Sequence, residues 1–316
     1  MPAENTIFPI TGTARDKWIE ALRPTRVTLD AQKPYAFFVE EEFSASGQVE
    51  SVATIFLTNR ECPWRCAMCD LWQNTLLETV PAGAIPAQID FALREMPSAS
   101  TIKLYNSGSF FDPRAIPPGD YGAVAERICQ FERVIVECHP ALVGKHCLTF
   151  RDNLSGKLEV AMGLETAHPA VLEKLNKRMT LKQFAAAASF LRGNNIDLRV
   201  FILIQPPFMH HEESLYWAQQ SLNFAFDCGA TAASLIPTRG GNGAMEVLAA
   251  HSEFTPPQLE TIEAALRYGL SLKRGRVFAD LWDLKIDHNQ EARLAVLKKM
   301  NREQQIYDVM PCEVRN

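Results

Sequence analysis

The sequence predicts an α/β fold built on a parallel sheet. Short strand-like runs rich in β-branched and aromatic residues recur along the chain, segments with helical periodicity separate them, and glycine follows two of those segments, at Gly193 and Gly229. Strands that alternate with helices are typical of parallel sheets, because each helix returns the chain to the start of the next strand. The strand-like runs are 52–60, 101–106, 133–138, 157–164, 198–204 and 231–237.

Helical patterns fill the intervals between these runs. The expected helices are 84–96, 121–131, 169–175 with 181–193, and 212–229. The six strands and their helices define a central unit over residues 51–274.

The two ends of the chain are predicted to be extensions of this unit. Residues 1–50 contain a helical pattern at 14–24 and a probable hairpin of 36–43 with 49–57, whose expected role is to cover the edge of the first strand or the open side of the sheet. Residues 275–316 form a C-terminal extension with a further strand-like segment, 277–284. We also expect an amphipathic helix begun by proline at 256–273 and another helix at 291–304.

Composition indicates a globular chain without a membrane or nucleic-acid signature. The 316 residues are 47% hydrophobic, and the net charge is −5 with acidic and basic residues interleaved, so no broad cationic face for nucleic acid is evident. No apolar run is long enough to span a membrane, and the N-terminus lacks the layout of a secretory signal. We therefore expect a cytoplasmic protein without a membrane partner.

Three of the eight cysteines lie within one short stretch, ECPWRCAMCD. The other five are scattered beside apolar neighbours, where reduced thiols usually pack as small hydrophobic groups. Cys62, Cys66 and Cys69, by contrast, have the close spacing of metal ligands. The five scattered cysteines are Cys129, Cys138, Cys147, Cys228 and Cys312.

Two kinds of metal site fit the three clustered thiols. A structural zinc site normally needs a fourth ligand, but Asp70 adjoins the last cysteine, the nearest downstream histidine is His139, and no second C-x-x-C pair occurs. Three thiolates also suit a [4Fe-4S] cluster that leaves one iron open to an exogenous ligand. An open coordination position favours chemistry over a structural role.

The spacing C-x-x-x-C-x-x-C after a hydrophobic strand resembles the cluster motif of the radical S-adenosylmethionine (SAM) superfamily. One departure is Met68, where an aromatic residue usually precedes the third cysteine. The resemblance implies a partial (β/α)6 TIM-type barrel with its site at the strand C-termini, which agrees with the six strand–helix units. It also implies two cofactors, a [4Fe-4S] cluster and SAM, and reductive cleavage of SAM to a 5′-deoxyadenosyl radical that abstracts hydrogen from a substrate.

Two loops carry residues that the resemblance assigns to SAM. Ser107, Gly108 and Ser109 follow the second strand, where the family often has a Gly-Gly-Glu-like motif for the SAM amino group, although no glutamate follows here. A tight serine-capped loop is the alternative. Glu165, after the fourth strand, is expected to bond the ribose hydroxyls. Neighbouring Thr166 could instead cap the next helix.

Two further positions complete the expected cofactor site. Arg178 lies where several members of the superfamily place a group that grips the SAM carboxylate, although a run of charges is as often a solvated face. Gly240 belongs to the glycine-rich loop after the sixth strand, PTRGGNGAME, which is expected to contribute to adenine binding. No Lys-Ser or Lys-Thr pair follows this loop, so a nucleotide P-loop is excluded.

Other polar residues near strand ends are weaker candidates. His139 follows the third strand and could act as an acid, a base or a substrate ligand, but a loop role is more frequent for such a residue. Solvent exposure is the expectation for His210 and His211. Asp112 is either a turn former or a polar contact, and Asp280 reaches the pocket only if its segment lies at the barrel edge.

Four stretches narrow the resemblance to the Elongator/MiaB-type branch, and more weakly to the archaeosine-synthase radical SAM subunit. This likeness covers roughly residues 50–285 and implies a modified nucleoside, in tRNA, as substrate class, with an electron donor such as flavodoxin or ferredoxin. A non-catalytic zinc or iron–sulfur protein, or a subunit active only in a complex, remains the alternative. The stretches are SGSFFD, VECHP, GLET and RGGNGAME with a following FTPPQLE.

Overall fold

A single curled sheet of eight strands, arranged in sequence order, forms the centre of the computed structural model, which describes residues 7–282, 284 and 290–308. The first two strands are antiparallel, and every later pair is parallel. The α/β fold and the partial barrel are thus confirmed. The strands are β1 (Ala36–Phe43), β2 (Val49–Phe56), β3 (Thr101–Tyr105), β4 (Arg133–Glu137), β5 (Lys157–Glu165), β6 (Asp197–Ile204), β7 (Ala232–Pro237) and β8 (Arg276–Ala279).

Helices connect the successive parallel strands and cover the outer face of the sheet. Each predicted helix is present, and two more, α4 and α8, occur where the sequence pattern indicated none. The helices are α1 (Gly12–Ala21), α2 (Ala84–Glu95), α3 (Tyr121–Arg127), α4 (Lys145–Asn153), α5 (Pro169–Lys174), α6 (Leu181–Gly193), α7 (Ser214–Asp227), α8 (Ala244–Ala250), α9 (Leu259–Ser271) and α10 (Glu291–Glu303). Within the described residues, no helix has the length and apolar character needed to cross a membrane.

The main hydrophobic core lies between the helices and the outward side chains of the strands. Ile55, Leu104 and Val200 are fully buried there, and each such side chain contributes about 1.5–3 kcal/mol on transfer from water. Because side chains alternate across a strand, the neighbouring positions 56, 105 and 201 face the opposite side, which is the lumen of the barrel. The packed core therefore fixes which residues line the lumen.

A network of buried charges closes the lumen at the N-terminal ends of the parallel strands. Arg199 Nη2 bonds Glu42 Oε1 at 2.5 Å, and Arg199 Nε bonds Glu159 Oε1 at 2.7 Å. Lys103 bonds Glu42 at 2.7 Å, and Arg276 bonds Glu159 at 2.9 Å. These contacts join β1 to β6 and β5 to β8, so the sheet curls round on itself.

Three details differ from the sequence-based expectations. Gly193 is the last residue of α6 rather than the residue beyond it, and Asn195 takes the left-handed conformation (φ 56°) that asparagine tolerates, whereas Gly229 (φ 86°) does follow α7 as expected. Helix α9 begins at Leu259, after the two prolines. The strand at 277–284 is shorter, because Asp280 accepts the Trp282 N–H and turns the chain. Cys312 lies outside the described residues.

Candidate functional site

The three clustered cysteines lie on one loop, residues 57–70, that crosses the C-terminal mouth of the barrel after β2. The loop is tied to two distant segments. Ala67 N donates to Leu175 O at 2.9 Å, and the buried Asn242 side chain donates to Ala67 O at 2.8 Å and Cys69 O at 3.1 Å. Connections after β5 and β7 therefore hold the cysteine loop over the lumen.

The clustered thiols are desolvated and interact with one another. Burial raises the pKa of Cys66 well above its usual value; Lys177 opposes this rise, and the thiols of Cys69 and Cys62 add to it. The pKa of Cys69 is raised to about 12 by burial, with a further contribution from Asp70. The thiolate form therefore needs a positive partner, as a metal ion would provide.

The donor set fits an iron–sulfur cluster in chemistry, although the side chains are not gathered around one point. In the part of the chain that the structure describes, no three His, Cys, Asp or Glu side chains are arranged as a metal site. Three soft sulfur donors on one loop nevertheless suit iron–sulfur ligation. Gly108 faces Cys62, and a Cβ at this glycine would lie 3.1 Å from the Cys62 Cβ, so the absent side chain leaves room beside the thiol.

Glu165 and Lys177 form a nearly buried ion pair next to the cysteines. A register shift between Gly163 and Glu165, together with the left-handed conformation of Glu165 (φ 67°), turns the carboxylate into the mouth of the barrel. A Cβ on Gly163 would overlap both the carboxylate and the ammonium group. Glycine at 163 is therefore required for the pair to occupy this place.

Lys177, rather than Arg178, is the basic residue at the thiols. Arg178 is half-exposed and pairs with Asp16 of α1 on the outside of the barrel, beside a cleft of about 500 Å³. Lys177 is buried, and its charge favours the thiolate forms of Cys66 and Cys62. The structure thus does not bring Arg178 to the other residues expected at the site, and its contact with SAM stays a prediction.

The loop after β3 carries Ser107, Gly108 and Ser109, but the buried Ser109 hydroxyl is turned away from the mouth: it donates to Cys138 Sγ at 3.5 Å and accepts the His139 N–H at 3.2 Å. Ser107 has a left-handed backbone (φ 52°), and its Oγ lies 2.8 Å from Tyr35 Oη. Beneath the loop, Glu137 Oε2 accepts the Asn106 N–H at 2.9 Å. The backbone amide is thus bound from below. This carboxylate comes from β4, and its contacts are with the backbone of the loop.

Glu137 is itself an unusual carboxyl group. Burial raises its pKa to about 7, against the lowering effect of backbone hydrogen bonds from the loop. Asn106, directly above it, is fully buried, and both polar atoms of its carboxamide lack a hydrogen-bond partner among the described residues. Such an orphaned amide is costly unless a ligand or water pairs with it.

Both ring nitrogens of His139 are engaged in hydrogen bonds with the backbone. Its Nε2 lies 3.0 Å from Lys177 O, and its Nδ1 accepts the Ala141 N–H at 3.1 Å. The ring stacks on Trp64 of the cysteine loop. Burial, with the charge of Lys177, lowers the pKa of His139 to about 3. These contacts favour the loop role of His139 over a role as an acid, a base or a substrate ligand.

The glycine-rich loop after β7 is shaped by two side chains. Glu246 accepts the N–H groups of Gly241 and Gly243 at 2.6 and 2.7 Å, and a Cβ on Gly240 would lie 2.6 Å from its Oε1. Arg239 Nη2 bonds Asp280 Oδ2 at 3.2 Å. Asp280 follows β8, which lies at the edge of the sheet as the prediction required, and its contact with the pocket stays a prediction.

Several site residues were missed or ranked too low from the sequence. Lys177 was passed over in favour of the neighbouring Arg178, which matched the resemblance. For Glu137, the sequence offered one indication, its position at the end of a strand. Asn242 gave no sequence signal apart from its place in a glycine-rich loop. The remaining candidates lie apart from the thiols: His210 and His211 are exposed as expected, and Asp112 is buried and accepts the N–H of Arg114, as a turn former does.

Two curated relatives match most of the chain at low identity. An uncharacterized protein of Methanocaldococcus jannaschii is 24% identical over 258 residues, covering 77% of this chain and 71% of that protein. Archaeosine synthase subunit beta of Methanosarcina acetivorans is 23% identical over 236 residues, covering 70% and 68%. No protein-family model matches the chain.

Two solved structures share the fold. Methylornithine synthase superposes with a TM-score of 0.53 at 15% identity, covering 82% of this chain and 73% of that one. An N-terminally truncated Elp3 of Methanocaldococcus infernus gives 0.51 at 14% identity over 74% of this chain, which spans little more than half (57%) of that structure. The partial-barrel fold expected from the sequence is therefore shared with both structures.

Proposed function

We propose that this protein is a radical SAM enzyme whose cluster is held by Cys62, Cys66 and Cys69. The observation that carries the proposal is the position of the three thiols, which share one loop at the mouth of a partial barrel with the radical SAM fold. The loop supplies three sulfur donors, and a [4Fe-4S] cluster has four irons, so one iron would be left open for SAM. Such a cluster, when bound, would supply the one electron that cleaves SAM to methionine and a 5′-deoxyadenosyl radical for hydrogen abstraction from the substrate.

The residues around the thiols have complementary chemistry for SAM. The Lys177 ammonium is the nearby positive charge for a carboxylate, and Glu165 offers acceptors for ribose hydroxyls. The loop at Ser107–Ser109 lies beside Cys62 through Gly108, and we assign it to the SAM amino group. Gly240 lies on the glycine-rich loop at the side we assign to adenine.

The substrate we propose is a modified nucleoside, either free or in tRNA. Support comes from the similarity to archaeosine synthase subunit beta, at 23% identity over 70% of the chain. An external reductant such as flavodoxin or ferredoxin, acting in the cytoplasm, would supply the electron. The acidic net charge of −5 means that a tRNA would have to be recognised through local contacts or by a partner protein.

Anaerobic reconstitution with iron and sulfide tests the proposal. We expect the wild-type protein to bind about four iron atoms and, with dithionite and SAM, to release 5′-deoxyadenosine. The triple variant C62A/C66A/C69A should lose both properties, whereas C129A, an exposed cysteine outside the loop, should keep both. Cluster absorbance that survives in the triple variant would refute the assignment.

A second candidate is a catalytic subunit that works only in a complex. It is favoured by the name of one relative, which is a subunit of archaeosine synthase. In that case the isolated chain would bind the cluster and SAM but release little 5′-deoxyadenosine until its partner is added. A protein that retains one equivalent of zinc and binds no iron would instead be the non-catalytic metal protein.

A further inference from the structure

A continuous row of aromatic rings lines one side of the lumen, below the cysteine loop. Neighbouring ring centroids are 5.9 Å apart from Trp282 to Phe38, 5.9 Å from Phe38 to Phe56, 6.0 Å from Phe56 to Tyr105 and 6.1 Å from Tyr105 to Phe201. We call these five residues the aromatic wall. The row runs across β1, β2, β3 and β6, together with the segment after β8.

The aromatic wall faces open space rather than the packed core. Phe56, Tyr105 and Phe201 remain partly exposed, although the side chains that precede them in the strands are buried. In register with Phe201, β7 carries Ser234, a small and partly exposed side chain, whereas the space above Gly163 on β5 is filled by Glu165 and Lys177. The small side chain beside half-exposed rings leaves a slot on the β7 side of the lumen, and small-molecule sites are usually concave and largely apolar.

Trp282 is exposed and yet fixed in position. Its side chain is 69% exposed, and its ring stacks on Phe38 with only 7° between the planes. Arg239 Nη1 donates to its carbonyl at 2.7 Å, and its N–H donates to Asp280 Oδ1 at 2.9 Å. An exposed aromatic ring that is held this firmly is typical of a recognition surface.

The aromatic wall is also joined to the cofactor loop and carries free polar groups. Tyr35 packs on Phe56 at 5.4 Å and bonds Ser107 at 2.8 Å, so the wall lies directly under the residues assigned to SAM. Among the described residues, neither the Tyr105 nor the Ser234 hydroxyl has a hydrogen-bond partner. A ligand in the slot would thus meet flat ring faces together with two hydroxyl groups for its polar edge.

We propose that the aromatic wall binds the heteroaromatic base of the substrate, which stacks on Tyr105 and meets Phe56 edge-on, since the planes of these two rings lie 65° apart. This inference rests on the proposed function and narrows its substrate class to a purine-like nucleoside. Aromatic side chains stack on nucleobases through their π faces, whereas an aliphatic amino acid would gain little from flat rings. Stacking at this depth holds the sugar and ring substituents toward the mouth, where the radical forms.

Guanosine is a suitable probe, with the reconstituted protein kept anaerobic and binding followed by calorimetry. We expect Y105L/F56L, which keeps apolar bulk but removes both rings, to weaken guanosine binding at least tenfold. Y216L removes a tyrosine that is 55% exposed on α7, outside the barrel, and should leave the affinity unchanged. Ribose, which lacks an aromatic base, and L-ornithine, an aliphatic amino acid, should not bind. Near-ultraviolet circular dichroism checks that each variant is folded.

The inference would be overturned by a lack of guanosine binding in the wild type, by equal affinity in Y105L/F56L, or by binding of L-ornithine in the slot. Competition by S-adenosylhomocysteine would also overturn it, since the wall would then hold the adenine of SAM. SAM cleavage separates the two proposals. A wild-type protein that releases 5′-deoxyadenosine but does not bind guanosine keeps the proposed function and loses this site.

Discussion

Replacing Lys177 by methionine tests which of two adjacent basic residues serves the site. The side chains of Lys177 and Glu165 are only 11% and 9% exposed, so K177M leaves a nearly buried carboxylate without its partner. Such a loss typically costs about 3–5 kcal/mol of folding free energy. In R178M the broken pair with Asp16 is 48% and 27% exposed, and such surface pairs contribute about 0–1 kcal/mol.

Thermal unfolding of the reconstituted variants measures the difference. We expect K177M to lower the melting temperature by roughly 6 °C or more and R178M by about 2 °C or less. The double variant K177M/E165Q should be less destabilised than the sum of its single changes, because neither charge then remains buried alone. S-adenosylhomocysteine should bind K177M with lower affinity than the wild-type protein and R178M with the wild-type affinity. An equal or larger effect of R178M in both measurements would refute the reasoning.

Three further predictions concern the residues that support the site. Folding raises the pKa of Glu137 from 4.5 to about 7, so its protonated form stabilises the fold fully below pH 4.5, and this stabilisation is lost as the pH rises through 7. The variant E137Q should remove up to about 3 kcal/mol of this dependence of folding free energy on pH. Melting curves from pH 4.5 to 8 measure the change. With a pKa near 3, the ring of His139 should show no NMR titration between pH 5 and 8, and a midpoint near 6.5 would contradict its buried role. N242A leaves two carbonyls of the cysteine loop unpaired, so it should cost about 1–3 kcal/mol and speed the loss of iron to a chelator, whereas Q73A, which removes one exposed bond, should do neither.

The strands of the sheet could be predicted from the sequence because every parallel strand is buried on its outer face and therefore has a strongly apolar pattern. The two helices that were not predicted have weaker patterns. Helix α4 buries only Cys147 and Phe150, and α8 is seven residues long, so neither presents a long apolar stripe. Spacing alone identified the three cysteines, since metal ligands on one loop must be near in sequence.

The supporting residues of the site could not be identified in this way. Two left-handed residues, Asn176 (φ 58°) and Arg178 (φ 55°), decide that Lys177 turns inward, and local sequence does not specify such backbone turns. Glu165 reaches the mouth through a bulge that depends on the pairing of β5 with β6. His139 depends on a partner 38 residues away in sequence. Contacts of this kind arise only from the folded arrangement.

The buried charges at the closed end of the barrel limit how far the N-terminus can be truncated without loss of the fold. Glu42 belongs to β1, before the predicted boundary at residue 50, yet it neutralises Lys103 and Arg199 inside the lumen. A chain that began at residue 50 would lose Glu40 and Glu42, the two carboxylates paired with Lys103, and would leave Arg199 to share Glu159 with Arg276. Residues 36–43 are therefore as much a part of the barrel as the strands that follow, and expression designs should retain them.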